Sequence, residues 1–183
     1  MKRAFLIVLV LASSHFLFAQ QTPAAAPTNP APQDEAPYLK YPTIPPFHLL
    51  KLDSATYLTK DDLKKHRRTL VMFFSPTCDH CKHQTESILS SFKKFKDIEI
   101  VMATYQPFSE MRDFYAEYHL AKYPNIKIGR DEKFFLAPYY KIRNLPYLAL
   151  YDRKGNLITT FEGTQKVETI IDAFGPKTKE SNN

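Results

Sequence analysis

Two largely apolar runs, TLVMFF at residues 69–74 and IEIVMATY at residues 98–105, constrain the fold of this chain more than any other feature. Both are rich in β-branched or aromatic side chains and lack polar alternation, the pattern of strands buried on both faces. Between them Cys81, Thr85, Ile88, Phe92 and Phe95 recur at helical spacing with Leu89 beside them, while Lys82, His83, Glu86 and Lys93 fall elsewhere. A second helix is expected over residues 109–120 with Ser109 as N-cap, followed by a short strand near 126–128 and a helix near 134–142. YLALYDRKGNLITTFEG reads as a β-hairpin turning at Lys154, Gly155 and Asn156, and VETIIDAF as a closing amphipathic helix. This order predicts an α/β fold: a mixed central sheet with helices on both faces and antiparallel strands at one edge. Upstream, residues 47–59 suggest a strand or hairpin. KDDLKKHRR suggests a short helix capped near Thr59 or Asp61, with the basic run as its solvated C-terminus.

The 183 residues divide unevenly. Residues 1–19 carry Lys2 and Arg3, an apolar run from Ala4 to Ala12, and a plausible cut after Ala19, which reads as a secretory signal peptide. An uncleaved membrane anchor is the weaker reading, because Ser13, Ser14 and His15 end the run short of the roughly 20 residues that span a bilayer. Residues 20–46 are rich in Pro and Ala without amphipathic period and read as a tether, 47–175 as the folded domain, and 176–183 as a polar tail. The protein is therefore expected to be exported, periplasmic, soluble after cleavage and monomeric. Cleavage lowers the formal charge of +6 by two, to +4, too small a surplus to predict a nucleic-acid partner. With four glycines, no Gly-rich phosphate loop and no Ser/His/Asp pattern, no cofactor is expected.

The chemistry concentrates in FFSPTCDHCKHQ, which holds both cysteines of the chain, Cys78 and Cys81. An exported chain can keep a disulfide, but a structural staple stabilises more when it closes a long loop than a two-residue one. At a helix start, Cys78 meets free backbone N–H groups and the positive end of the helix dipole, both of which favour its thiolate, while Cys81 faces the core. A partly exposed thiolate beside a buried thiol is what disulfide exchange requires, with Cys78 as nucleophile and Cys81 as resolving thiol. His80 can stabilise a Cys78 thiolate and Asp79 opposes it, so this pair tunes the couple. Metal binding is the main rival: Cys78, His80, Cys81 and His83 lie within six residues, Asp79 adds an oxygen, and His119 could arrive through the fold for copper or zinc delivery. A peroxidase built on Pro76 and Thr77, and a binding module with an inert disulfide, are further alternatives.

A buried strand, a Cys-X-X-Cys at a helix start, and Pro146 ahead of a later strand (NLPYLALYD) together resemble the thioredoxin superfamily over residues 47–174. The resemblance implies a three-layer thioredoxin-like sandwich and a cis peptide bond before Pro146. Pro146 would lie against the cysteines, and Leu145 would offer backbone hydrogen bonds to a docked polypeptide. The 65 positions from Cys81 to Pro146 exceed a minimal thioredoxin and imply an inserted strand and helix before the cis proline. An exported domain of this kind is similar to the TlpA/ResA group of extracytoplasmic thiol-disulfide oxidoreductases, whose partners are protein thiols or disulfides and, in some cases, a membrane electron donor. The chain departs from the pattern at Met72, which takes the place of a buried Asp, and at Gln84, where the group often has a Glu that accepts a proton. The aromatic stretch 134–140 reads as core, with Tyr139 and Tyr140 as candidate walls of a groove near Pro146.

Overall fold

The computed structural model describes residues 35–175, so the signal peptide read at 1–19, most of the tether and the tail at 176–183 lie outside the described residues. The two apolar runs become β3 (Arg68–Phe73) and β4 (Ile98–Thr104), every residue of which is buried. They pair in parallel, with Val71 opposite Val101, because the intervening chain forms α2 (Asp79–Ser90) and α3 (Phe92–Phe95) on one face. A further parallel neighbour, β5 (Ile126–Arg130), follows α4 (Phe108–Glu117). The helix α5 (Leu136–Tyr140) precedes the hairpin β6 (Tyr147–Tyr151) and β7 (Leu157–Glu162), which adds antiparallel to β3, and α6 (Val167–Ala173) closes the domain. A second hairpin, β1 (His48–Leu50) and β2 (Tyr57–Thr59), joins antiparallel to β5. The seven-stranded order is β2-β1-β5-β4-β3-β6-β7, so antiparallel strands occupy both edges rather than the single edge expected.

Alternation along β3 splits the core in two. Leu70, Met72 and Phe74 join Cys81, Ile88, Met111, Phe114 and Ile170 under α2, α4 and α6. Val71 and Phe73 join Phe47, Leu136, Tyr139, Tyr140, Tyr147 and Tyr151 on the opposite face. The result is the three-layer sandwich expected, with β5 and α5 as the strand and helix ahead of Pro146. Tyr139 and Tyr140 are buried beneath that second face, and Tyr140 exchanges a hydrogen bond with the Tyr151 hydroxyl. They are core.

Three local expectations change. Residues 35–46, read as the end of the tether, pack on the domain: α1 (Pro37–Lys40) sets Tyr38 5.7 Å from the Tyr140 ring, and Tyr139 Oη donates to the Tyr41 carbonyl at 3.0 Å. Thr43 bridges Asn156, the Ile44 N–H donates to the Gly155 carbonyl at 3.0 Å, and the Leu157 N–H donates to the Pro42 carbonyl at 2.8 Å, so the segment is fastened to the β6–β7 hairpin by backbone pairs. The short helix after Thr59 is only a 3-10 turn at Lys60–Asp62, tied by the Thr59 N–H to the Asp62 carboxylate at 2.7 Å. The basic run that follows is therefore not a helix end. Its Arg67 and Lys64 turn instead toward Glu99, a carboxylate with 0% exposure on β4. Finally, α4 begins at Phe108 with Pro107 as N-cap, one position before Ser109.

Gly129 marks a close approach. A Cβ there would stand 2.6 Å from Leu49 Cβ and 3.2 Å from the Leu50 carbonyl, both on β1. Neither can retreat without opening the β1–β5 pair. Gly129→Ala is expected to destabilise the domain by about 1–3 kcal/mol, the usual scale of overpacking, read as a lower urea midpoint at unchanged slope.

Candidate active site

The chain leaves β3 through Phe74, Ser75, Pro76 and Thr77 in a tight turn. The Cys78 N–H donates to the Ser75 carbonyl at 3.2 Å, and the Ser75 and Thr77 hydroxyls lie 3.1 Å apart. Cys78 then serves as N-cap of α2, with extended backbone (φ −83°, ψ 118°), and its carbonyl accepts from the Cys81 and Lys82 N–H groups, each at 3.0 Å. An N-cap side chain stands beside the unpaired N–H groups of the first turn, where negative charge is favoured. Cys78 is half-buried and Cys81 fully buried, both as free thiols. The helix face read from the sequence therefore places the two cysteines as expected.

Cys81 packs with Met72, Phe74 and Ile88 and receives no help from a neighbouring charge of opposite sign. Burial pushes its thiol up to about 12; the Ser75 backbone opposes this, and the neighbouring Cys78 side chain adds weaker upward pushes. Asp79 and His80, the residues between them, are exposed. Asp79 is the acidic residue of the first turn, and the His80 carbonyl accepts from the Thr164 hydroxyl at 3.3 Å.

The Leu145-Pro146 peptide bond is cis, as the resemblance implies. Register brings it to the cysteines: Tyr147, the residue after Pro146, pairs with Phe73, five positions before Cys78. The start of β6 and the start of α2 thus share one end of the sheet. Pro146 is buried and Leu145 half-buried, the latter packing against both halves of the core. Among the described residues no three His, Cys, Asp or Glu side chains converge as a metal site, and His83 and His119 are exposed, so the fold does not gather the ligands proposed for copper or zinc.

One part of the site had no sequence signal beyond a single glycine. The turn after β7 lies between the two functional loops: the Gly163 N–H donates to the Pro146 carbonyl at 2.8 Å, and the Gln165 N–H to Gln84 Oε1 at 2.7 Å. Gly163 has φ +75°, a conformation that favours glycine.

Residues 59–175 match the family model described as a thioredoxin-like domain. A protein disulfide-isomerase from Arthroderma benhamiae is 30% identical over 146 residues, 74% of this chain and 26% of that protein. The chain spans about a quarter of the length of the curated relatives it matches. Among solved structures, a secreted Mycobacterium tuberculosis disulfide oxidoreductase homologous to E. coli DsbE superposes with TM-score 0.58 at 16% identity, covering 70% of this chain and 94% of the other. StoA from Bacillus subtilis superposes with TM-score 0.55 at 20% identity, covering 72% and 98%. The seven-stranded sandwich, the Cys-X-X-Cys at the start of α2 and the match over residues 59–175 place this chain in the thioredoxin-like family.

Proposed function

We propose that the protein is an extracytoplasmic thiol-disulfide oxidoreductase of the TlpA/ResA type, exchanging disulfides with protein partners through Cys78 and Cys81. The observation that carries this reading is a half-buried cysteine capping α2, three positions before a fully buried one, at the sheet end that also holds the cis Leu145-Pro146 bond. In the reducing direction the Cys78 thiolate attacks one sulfur of the partner's disulfide, and the other sulfur leaves as a thiolate that takes up a proton. Cys81, once deprotonated, attacks Cys78 in the mixed disulfide and expels the second partner thiol. Two electrons pass to the partner, and the protein is left with a Cys78–Cys81 disulfide; the oxidising direction is the same sequence reversed. Leu145 and Pro146 dock the partner's backbone beside Cys78, and Asp79 and His80 tune the couple's potential.

Action outside the cytoplasm is supported by the signal-peptide pattern at 1–19, by the likeness of the fold to a secreted M. tuberculosis oxidoreductase, and by the persistence of disulfides there. None of the described helices is long and apolar enough to cross a membrane. The test mixes pre-reduced protein with a disulfide-bonded peptide and follows both by mass spectrometry. The expected result is stoichiometric loss of two hydrogens from the protein as the peptide gains two. Absence of exchange, or stoichiometric copper or zinc that survives a chelator, would overturn the reading. The equilibrium position of the same mixture against a glutathione buffer assigns the direction of flow.

A further inference from the structure

Gln84 sits one turn beyond Cys81 on the same side of α2 and has 0% exposure. A buried primary amide in a helix facing the core costs desolvation unless its groups are paired. Here only half of it is: Oε1 accepts from the Gln165 N–H at 2.7 Å, while Nε2 has no hydrogen-bond partner. A Leu or Met at this position would avoid that cost, so the amide is retained for what its oxygen holds.

What it holds is a bridge. On the side of α2, residues 162–165 are fastened by the Gln165 N–H to Gln84 and by the Thr164 hydroxyl to the His80 carbonyl at 3.3 Å. On the other side the Gly163 N–H donates to the Pro146 carbonyl at 2.8 Å, and the Glu162 carboxylate accepts from Asn144 Nδ2 at 2.9 Å and the Arg143 N–H at 3.3 Å. Internally, Gln165 Nε2 reaches the Glu162 and Gly163 carbonyls at 3.3 and 3.4 Å. These bonds run from the first two turns of the Cys-X-X-Cys helix to the loop that carries the cis proline.

We infer that Gln84 is a positioning residue: through residues 162–165 its amide oxygen holds the Cys78 turn and the Leu145-Pro146 loop at the spacing that lets a polypeptide disulfide dock. The inference rests on the exchange function proposed above. A substrate with a backbone uses both walls, whereas a small disulfide needs only the Cys78 sulfur. Loosening the bridge therefore changes selectivity between the two kinds of substrate, beyond any effect on folding.

The experiment compares single-turnover oxidation of pre-reduced wild-type protein, Gln84→Leu, Gln84→Glu and Thr164→Val by two probes, a disulfide-bonded peptide and the small aromatic disulfide dithiodipyridine. Gln84→Leu is expected to lower the peptide-to-dithiodipyridine rate ratio roughly tenfold, as one buried hydrogen bond is lost and the Gln165 N–H stranded. Thr164→Val, at an exposed position that folding tolerates, is expected to lower the ratio about threefold. Gln84→Glu keeps an acceptor for Gln165 and should bring the ratio back to within about twofold of wild type. A ratio unchanged in both Gln84→Leu and Thr164→Val overturns the inference, as does an equal fall on both probes, which would mark Gln84 as a packing residue. Wild-type protein inert toward both probes would instead overturn the exchange function itself, so the two failures are distinguishable.

Discussion

Replacing Cys78 with Ser is expected to abolish disulfide exchange, lowering its rate by more than about 10³-fold, the scale on which loss of an activated nucleophile acts. Cys81→Ser is expected to leave the first attack intact and the second absent, so mixed disulfides through Cys78 accumulate and can be counted on a non-reducing gel. The asymmetry follows from burial: Cys78 is half-buried at the helix end, and Cys81 is fully buried. It also fixes a pH dependence. With the Cys81 thiol pushed up to about 12, chiefly by burial, its thiolate is scarce at neutral pH. The resolving step should therefore speed up about tenfold per pH unit between pH 6 and 9. Met72 and Gln84 offer no carboxylate to relieve this. A rate flat over that range would mean that another group removes the Cys81 proton.

The same shift has a stability consequence of definite sign. In the unfolded chain a cysteine ionises near 9 and in the fold Cys81 ionises near 12, so below pH 9 both states hold the proton and stability is unaffected. Between 9 and 12 the unfolded chain releases it first and binds fewer protons than the fold, so stability falls as pH rises, by up to about 1.4 kcal/mol per unit. Wild-type protein should lose urea resistance between pH 8.5 and about 10 faster than Cys81→Ala, which removes the titrating group.

Arg67→Met is expected to destabilise the protein by about 2–3 kcal/mol, at or just below the roughly 3–5 kcal/mol of breaking a fully buried ion pair, or a fall in Tm of about 4–12 °C for a domain of this size. Its Nη1 stands 3.1 Å from Glu99 Oε1, and the Glu99 side chain has 0% exposure on a strand buried along its whole length. Without Arg67 the carboxylate keeps only Lys64 at 4.0 Å and Lys127 at 3.9 Å, both beyond hydrogen-bond reach, and Arg67 Nη2 no longer holds the Lys96 carbonyl at 3.0 Å. The residual lysines are why the cost falls short of a fully stranded charge. Arg67→Met combined with Glu99→Leu should recover most of the loss, since removing both partners removes the desolvation cost. A single variant as stable as wild type would show that the two lysines suffice.

Much of the architecture was legible before any coordinates. The buried strands at 69–74 and 98–105, the inward face of α2 and the hairpin around Gly155 are local patterns: each is written in side-chain periodicity or turn chemistry over ten residues or so. The two-residue spacing of Cys78 and Cys81 at a helix start, with Pro146 ahead of β6, was legible for the same reason, and so was the family resemblance. Where the sequence misled, the competing partner lay far along the chain. The basic run at 64–68 has the composition of a helix end, but Glu99, more than thirty residues on, draws Arg67 and Lys64 toward β4. Residues 35–46 have the composition of a tether, yet Tyr140 and the turn at Gly155, more than a hundred residues away, supply a surface and hydrogen-bond partners.

By itself, then, the sequence determined the buried strands β3 and β4, the β6–β7 hairpin, which face of α2 is buried and that both cysteines stand at the start of that helix. These depend on neighbours within a few turns of the chain. The tertiary structure alone decided that β1 and β2 cover the second edge, that Pro146 reaches the end of the sheet where Cys78 stands, and that Gln84 joins them through Gln165. Those are pairings between residues dozens of positions apart, and their selection rests on burial and hydrogen-bond satisfaction summed over the whole domain, which no local window of sequence contains.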